Sequence, residues 1–311
     1  MNQEGRYFMA IIELRNVTKK FGRDFKALDD VSLKVEKGEV FGFIGPNGAG
    51  KSTAIRVLLG IIKGTEGQAK IFEQDAWEEN VQIHERLAYV PGDVNLWPNL
   101  TGGEVIDLFL RMRKKKYNPQ FKDQLIRDFN LDPSKKCRTY SKGNRQKVAL
   151  IAAFASEAEL FIFDEPTSGL DPLMEATFHK YVLSEKATGK TVFLSSHILS
   201  EVEKLCDRIA IIRQGKIVET GTLEELRHLT TSTIKVETAH SLQELENQEG
   251  VLKLTLDSTT YKKASFQLEP MYMGDVMNFL ATHHILKLES QPATLEDLFM
   301  DYYENKEAES L

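Results

Sequence analysis

Three features of the chain predict an α/β fold. Gly45-Pro46-Asn47-Gly48-Ala49-Gly50-Lys51-Ser52-Thr53 matches the phosphate-loop pattern G-x-x-x-x-G-K-[ST], set between an apolar strand and a helix. Leu160-Phe161-Ile162-Phe163 is a continuous apolar run ended by Asp164-Glu165, as expected of a central parallel strand covered on both faces. Around it, strand-like and helix-like segments alternate, which places a ligand at the carboxyl ends of the strands.

Residues 1–10 read as an N-terminal extension, mixed polar and aromatic, without a signal-peptide core. Ile11 to Asn16 and Val31 to Val35 alternate apolar and polar residues and predict half-exposed strands, with Phe21-Gly22 in the loop between them. Glu39 to Ile44 is the buried strand entering the phosphate loop, and Lys51 to Leu59 the helix leaving it, stopped by Gly60. In that loop the glycines let backbone N–H groups of Asn47 to Ser52 turn inward around phosphate oxygens. Lys51 adds a full positive charge, and the Ser52 hydroxyl is placed for magnesium. A short strand follows at Lys70-Ile71-Phe72, then a helix over Val81 to Arg86 and a strand over Leu87 to Val90, stopped by Pro91-Gly92. These strands are expected to form an antiparallel layer against the nucleotide core.

After Pro98 the pattern becomes helical. Thr101-Gly102-Gly103-Glu104 has capping-box spacing, and Val105, Leu108, Phe109 and Met112 continue one stripe. A second helix is predicted over Gln120 to Phe129, with Lys114-Lys115-Lys116 as a solvated helix end. Tyr140 to Asn144 reads as a loop and Arg145 to Ala155 as an apolar helix, so a helical subdomain is expected over about 99–155. Met174 to Lys186 and Ser200 to Cys206 predict helices, Thr191 to Leu194 a strand, and Arg208 to Ile212 with Lys216 to Glu219 a hairpin. The first domain is taken as 11–222. From 223 to 311, strands at Ile234–Glu237, Leu252–Leu256, Ala264–Leu268 and Ile285–Leu288 alternate with helices at Leu242–Asn247, Met273–Thr282 and Thr294–Tyr303. That order suggests a small α+β domain of ferredoxin-like type. His283-His284 has no neighbours that complete a metal set and reads as surface.

At 311 residues the chain has room for two cores, and its 41% hydrophobic and 28% charged content is that of a globular protein. A net charge of −6 argues against a broad nucleic-acid surface, and no nucleic-acid partner is expected. Two cysteines, Cys137 and Cys206, provide no disulfide framework and suit a reducing cytosol. No apolar run approaches the ~18 residues that span a bilayer, so work at a membrane would need another chain.

Asp164 at the end of its strand is placed to hold magnesium opposite Ser52, and Glu165 to polarise a water as general base. Asp164-Glu165-Pro166-Thr167-Ser168-Gly169-Leu170-Asp171 resembles the Walker B and D-loop of ABC-type ATPases. Tyr140-Ser141-Lys142-Gly143-Asn144-Arg145-Gln146 resembles the family signature LSGGQ, and His197, after Leu194-Ser195-Ser196, matches its switch histidine. With the phosphate loop as Walker A, four motifs stand in register. The chain is thus similar to the ABC-type P-loop NTPases over 11 to about 222, with an antiparallel β subdomain, a helical subdomain and a C-terminal α+β accessory domain.

The resemblance implies ATP and Mg2+ as ligands, with Glu165 and His197 catalytic and Phe21 stacking on adenine. Gly45, Asn47, Gly48, Ala49, Gly50, Lys51, Ser52 and Thr53 would bind phosphate, with Ser52 and Asp164 at the metal. Ser141, Lys142, Gly143 and Asn144 would close over ATP held by a second subunit, and Asp171 would organise that interface. A homodimer or a paired homologous ATPase subunit is implied. Two departures stand out: Lys142 and Asn144 replace the usual Gly and Gln, and Gly92 occupies the Q-loop glutamine position. Water, or Asp93 one residue on, would take that glutamine's place.

Pro292-Ala293-Thr294-Leu295-Glu296-Asp297-Leu298-Phe299 resembles the tail of bacterial drug- and antibiotic-export ATPases of the bacitracin/daunorubicin type. This implies an exporter subunit at the cytoplasmic face of the membrane, with a separate transmembrane permease received by the Gly92–Thr101 loop around Trp97. The alternative is a soluble ABC-type ATPase of translation or DNA repair. Those usually carry tandem modules, coiled coils or basic segments, none of which this chain displays. A nucleotide-binding regulator without turnover is disfavoured by intact Lys51, Glu165 and His197.

Overall fold

The computed structural model describes residues 10–22, 24–113, 117–228 and 231–291. Two compact units divide the chain, Met1–Thr220 and Gly221–Leu311. Residues 1–9 of the N-terminal extension, Lys114-Lys115-Lys116, the Thr294–Tyr303 helix and the exporter-type tail all lie outside the described residues, whereas Ala10 already belongs to the first strand.

The first unit opens with a long hairpin, β1 (Ala10–Phe21) and β2 (Phe25–Glu36), followed by β3 (Val40–Ile44) and α1 (Lys51–Leu58). Next come β4 (Glu66–Ile71), β5 (Gln74–Asp75), α2 (Asn80–His84) and β6 (Leu87–Val90). Strands β2, β1, β4 and β5 form, in that order, an antiparallel sheet. Phe21 is the last residue of β1 and pairs with Phe25, not a loop residue as expected, because β1 keeps its pairing with β2 through several register shifts that interrupt the alternation. A second correction concerns β6, which leaves this layer and pairs in parallel with β7 (Leu160–Asp164). Short apolar runs carry no signal of which sheet they join.

The helical subdomain contains α3 (Gly102–Met112), α4 (Pro119–Asp128) and α5 (Lys142–Phe154). Thr101 and Glu104 form a reciprocal capping box at α3, and Asn118 caps α4 ahead of Pro119. Helix α5 begins three residues earlier than its apolar stripe, because Ser141 accepts the N–H of Asn144 and caps it. After β7 the chain continues through α6 (Pro172–Ala187), β8 (Thr191–Ser196), α7 (Leu199–Leu205), β9 (Arg208–Arg213) and β10 (Lys216–Thr222).

The principal sheet runs β10-β9-β3-β8-β7-β6, and every pair from β9 to β6 is parallel. Strands β3, β7 and β8 are buried at every residue, which explains why their sequences lack alternation. Phe41 and Phe43 of β3 meet Phe193 of β8, and Phe154 packs against Phe161, Phe163, Phe178 and Tyr181, fastening α5 and α6 to β7. The strand order brings the carboxyl ends of β3, β8 and β7 side by side. Those ends carry the phosphate loop, Ser195-Ser196-His197 and Asp164-Glu165.

The second unit contains α8 (Leu223–His228), β11 (Ser232–Thr238), a 3-10 stretch at Gln243–Asn247, β12 (Val251–Leu256), β13 (Lys263–Leu268), a second 3-10 stretch at Pro270–Tyr272, α9 (Met273–Thr282) and β14 (Ile285–Gln291). Its antiparallel sheet has the order β12-β13-β11-β14. This is the ferredoxin-like order with its first helix reduced to one 3-10 stretch. The core is built from Ile234, Val236, Phe266 and Leu268 on the sheet and Val276 and Leu280 on α9. His283 ends α9 with its ring against Phe279, and its Nδ1 lies 2.9 Å from the Phe279 carbonyl. Among the described residues, no helix is long and apolar enough to cross a membrane.

Candidate nucleotide-binding site

The phosphate loop folds as a cradle because its glycines leave no room for side chains where the backbone packs. A Cβ on Gly45 would lie 2.4 Å from the Ile212 carbonyl oxygen, and one on Gly50 2.6 Å from that of Ala27. Gly50 also sits at φ +115, a conformation closed to other residues, and opens α1. Gly48, at φ +82, faces open space. Helix α1 therefore presents its first N–H groups and the positive end of its dipole toward the loop. Asn47 and Gly48 are exposed, Ala49 is buried, and Ser52 and Thr53 are half-buried in the first turn.

Lys51 is buried, and its ammonium donates to the carbonyls of Gly45 (2.6 Å) and Pro46 (3.1 Å). Burial pushes its pKa below the ordinary lysine range, opposed by the charges of Glu165 and Asp164. A desolvated ammonium encircled by carbonyls gains most from an anion that completes its shell. The Glu165 Oε1 atom lies 3.5 Å from Lys51 Nζ and 3.3 Å from His197 Nδ1. One carboxylate oxygen thus faces both the lysine and the histidine, which joins three sequence-predicted residues in a single cluster. Glu165 holds φ +49, and its N–H donates to the Ser195 carbonyl on β8. A non-glycine residue in this region is costly and is kept where the surroundings enforce it.

Asp164 is buried, and Ser195 Oγ donates to its Oδ1 at 2.5 Å. The neighbouring Tyr89 phenol is pushed up to about 12 by burial, with the Asp164 charge adding to the shift. The second oxygen and the aspartate's place at the strand end leave it suited to a hard cation.

The signature segment lies against the D-loop of the same chain. Lys142 Nζ donates to Ser168 Oγ at 2.7 Å, and a Cβ on Gly143 would stand 2.3 Å from the Gly169 carbonyl oxygen. Beside them Ser141, Asn144, Lys147 and Leu170 line a cavity of about 310 Å³ at the N-terminus of α5. Asp171 caps α6, accepting from the N–H groups of Leu173 and Met174 at 3.1 Å. The two clusters meet along the D-loop, where the Ser168 N–H donates to the Glu165 carbonyl at 3.2 Å.

The sequence model of the ABC transporter family matches residues 28–168, and that of the ATP-binding protein DrrA1-3-like C-terminal domain matches 221–303. An ABC transporter ATP-binding protein of Bacillus subtilis, YhcH, is 34% identical over 297 residues, covering 94% of this chain and 95% of its own. The chain belongs to the ABC transporter ATP-binding family. The bacitracin transport ATP-binding protein BcrA of Bacillus licheniformis is 34% identical over 223 residues, 70% of this chain and 71% of that one. Among solved structures, the ATP-binding subunit of an ABC transporter superposes with TM-score 0.64 at 31% identity, covering 70% of this chain and 92% of its own. A dimeric post-hydrolysis cassette bound to ADP and Pi superposes with TM-score 0.63 at 26% identity, covering 68% of this chain and 98% of its own.

In this ABC ATPase, Phe21 and Gly92 are two further positions that the sequence singles out. Phe21 is 45% exposed at the end of β1 and lies under the Lys19 ammonium, 5.2 Å from its ring centroid. It is thus free on one face, as a stacking residue requires. Gly92 packs against the Asp164 carbonyl, where a Cβ would meet the oxygen at 3.1 Å, while Asp93 is exposed. Sequence reading missed Ser195 and Ser196, which anchor the Asp164 carboxylate and the histidine turn. The signal was present: two hydroxyls continue an otherwise apolar buried strand.

Proposed function

We propose that the chain is the ATPase subunit of an exporter, acting as a head-to-tail pair beneath a separate permease. The observation that carries the hydrolytic part is the Lys51–Glu165–His197 cluster at the ends of β3, β7 and β8. In this reading the loop N–H groups and Lys51 bind the β- and γ-phosphates, and Phe21 stacks on adenine. Ser52 and Asp164 would hold magnesium, which when bound neutralises phosphate oxygens. Glu165 accepts the proton of the attacking water, and His197, turned with Nδ1 toward Glu165, presents Nε2 to the γ-phosphate.

Ser141, Lys142, Gly143 and Asn144 would close the partner's site, with Asp171 fixing the D-loop between subunits. The lining of the 310 Å³ cavity supports this: the N-terminus of α5, capped by Ser141, and the Lys147 side chain converge there. A homodimer and a pair with a homologous subunit both satisfy it.

Export by a separate permease is supported by the BcrA likeness and by a groove of about 670 Å³ between β6, α3 and α5. Val94, Leu96, Phe109 and Met112 line it, and the Trp97 ring lies tilted against Phe109 with centroids 5.8 Å apart. An apolar groove with one exposed tryptophan suits an amphipathic helix from the membrane chain. The unit from 223 onward then serves as an accessory domain. Steady-state ATP hydrolysis in magnesium tests the core of this reading. Wild type should turn over, and Glu165→Gln should lose about a hundredfold or more; equal rates would overturn it.

A further inference from the structure

Behind the switch histidine lies a buried polar group that the hydrolytic cluster does not use. Glu201, in the first turn of α7, is 4% exposed. Its Oε2 accepts from Ser196 Oγ at 2.8 Å, and that hydroxyl accepts the Ile198 N–H at 3.0 Å. The two bonded positions, Ser196 and Ile198, flank His197 on either side. Its other oxygen, Oε1, has no hydrogen-bond partner and faces His179 Nε2 on α6 at 3.8 Å, which is equally unpartnered. A buried carboxylate with one oxygen left unmatched is expensive to keep. Apolar packing against Val202 and Leu205, both buried on the same helix, would have served the fold better.

We propose that Glu201 is a positioning residue for ATP hydrolysis, which holds the His197 turn through Ser196. This rests on the reading of Glu165 and His197 as the hydrolytic pair. His197 is an exposed side chain whose working distance, 3.3 Å from Glu165, depends on its backbone. That backbone is pinned at Ser196 by β8 and at Ile198 by the Ser196 hydroxyl, whose orientation Glu201 sets. The facing His179 belongs to α6, the helix capped by Asp171, so the same carboxylate lies between the D-loop helix and the histidine turn.

Steady-state ATPase kinetics of the full chain test it. Glu201→Ala should lower kcat by about 10- to 100-fold, the effect of misplacing a reacting group by about 1 Å, while KM for ATP stays within about twofold. Glu201→Gln should recover most of the rate, because its carbonyl still accepts from Ser196. Ser196→Ala should reproduce Glu201→Ala and keeps the test open if the larger change fails to fold. The double substitution should cost no more than either alone. Wild-type kcat in Glu201→Ala or in Ser196→Ala, a Gln variant as slow as the Ala variant, or additive losses would each overturn the proposal. Silent variants of an active wild type sink this inference alone, whereas an inactive wild type sinks the ATPase reading and this with it.

Discussion

Replacing Gly143 with alanine would place a methyl carbon 2.3 Å from the Gly169 carbonyl oxygen, closer than the 3.0 Å below which real contacts essentially never fall. The obstacle is backbone, so no side chain can rotate away. Signature turn and D-loop would have to part by roughly 0.7 Å or more, an overpacking that costs about 1–3 kcal/mol. Opposing this, alanine favours a helix over glycine by about 1 kcal/mol, and residue 143 lies in the first turn of α5. Were the contact unimportant, the substitution would therefore stabilise the protein. The packed geometry predicts a net loss of about 1 kcal/mol, or roughly 2–4 °C in melting temperature. It also predicts a fall in ATP hydrolysis of about a hundredfold, since the partner's phosphate would meet a displaced lid. Single-chain ATP affinity should be unchanged, because the phosphate loop is untouched. Thermal melts, nucleotide titration and steady-state rates on one preparation decide it. A higher melting temperature with a wild-type rate would refute the reasoning.

Three further outcomes are expected. Phe21→Ala should weaken ATP binding by about fivefold or more, because base stacking on an aromatic ring contributes about 1–3 kcal/mol; Phe21→Trp should not, as equilibrium titration with a fluorescent nucleotide would reveal. Thr101→Ala removes half of the α3 capping box and should cost about 1 kcal/mol in chemical denaturation, whereas Thr101→Ser should retain it. Cys137 and Cys206 are both buried, and desolvation raises both thiols above their usual pKa. At pH 8 less thiolate is then present than for a free cysteine, so mass spectrometry should find slow labelling of both in the folded chain and fast labelling once it is denatured.

The parts legible in the sequence are those whose chemistry sits on consecutive residues. Gly45 to Thr53 and Asp164-Glu165 each carry their geometry in one turn or one strand end, and the capping box at Thr101 does the same for α3. The second unit's strand order was also within reach, because four alternating strands in that sequence have few compact arrangements. What escaped was non-local. Neither the entry of β6 into the parallel sheet nor the reach of Glu201 to Ser196 is written in any periodicity. Phe21 reads as a loop residue because the register shifts in β1 break its alternation. The first turn of α5 reads as a loop because Ser141 and Gly143 look like turn residues, though one caps the helix and the other makes room for Gly169. At Gly92 the sequence leaves open whether water or Asp93 stands in for the family's glutamine; the structure has the glycine tight on Asp164 and Asp93 exposed.

A pocket divided between two subunits is the claim on which the proposed motor stands. Sedimentation of Glu165→Gln with and without MgATP tests it most directly, since binding persists while hydrolysis stops. With MgATP the species should have twice the 35.3 kDa mass of one chain, and without nucleotide the mass of one. A variant that binds MgATP yet keeps the mass of a single chain at every concentration would contradict it.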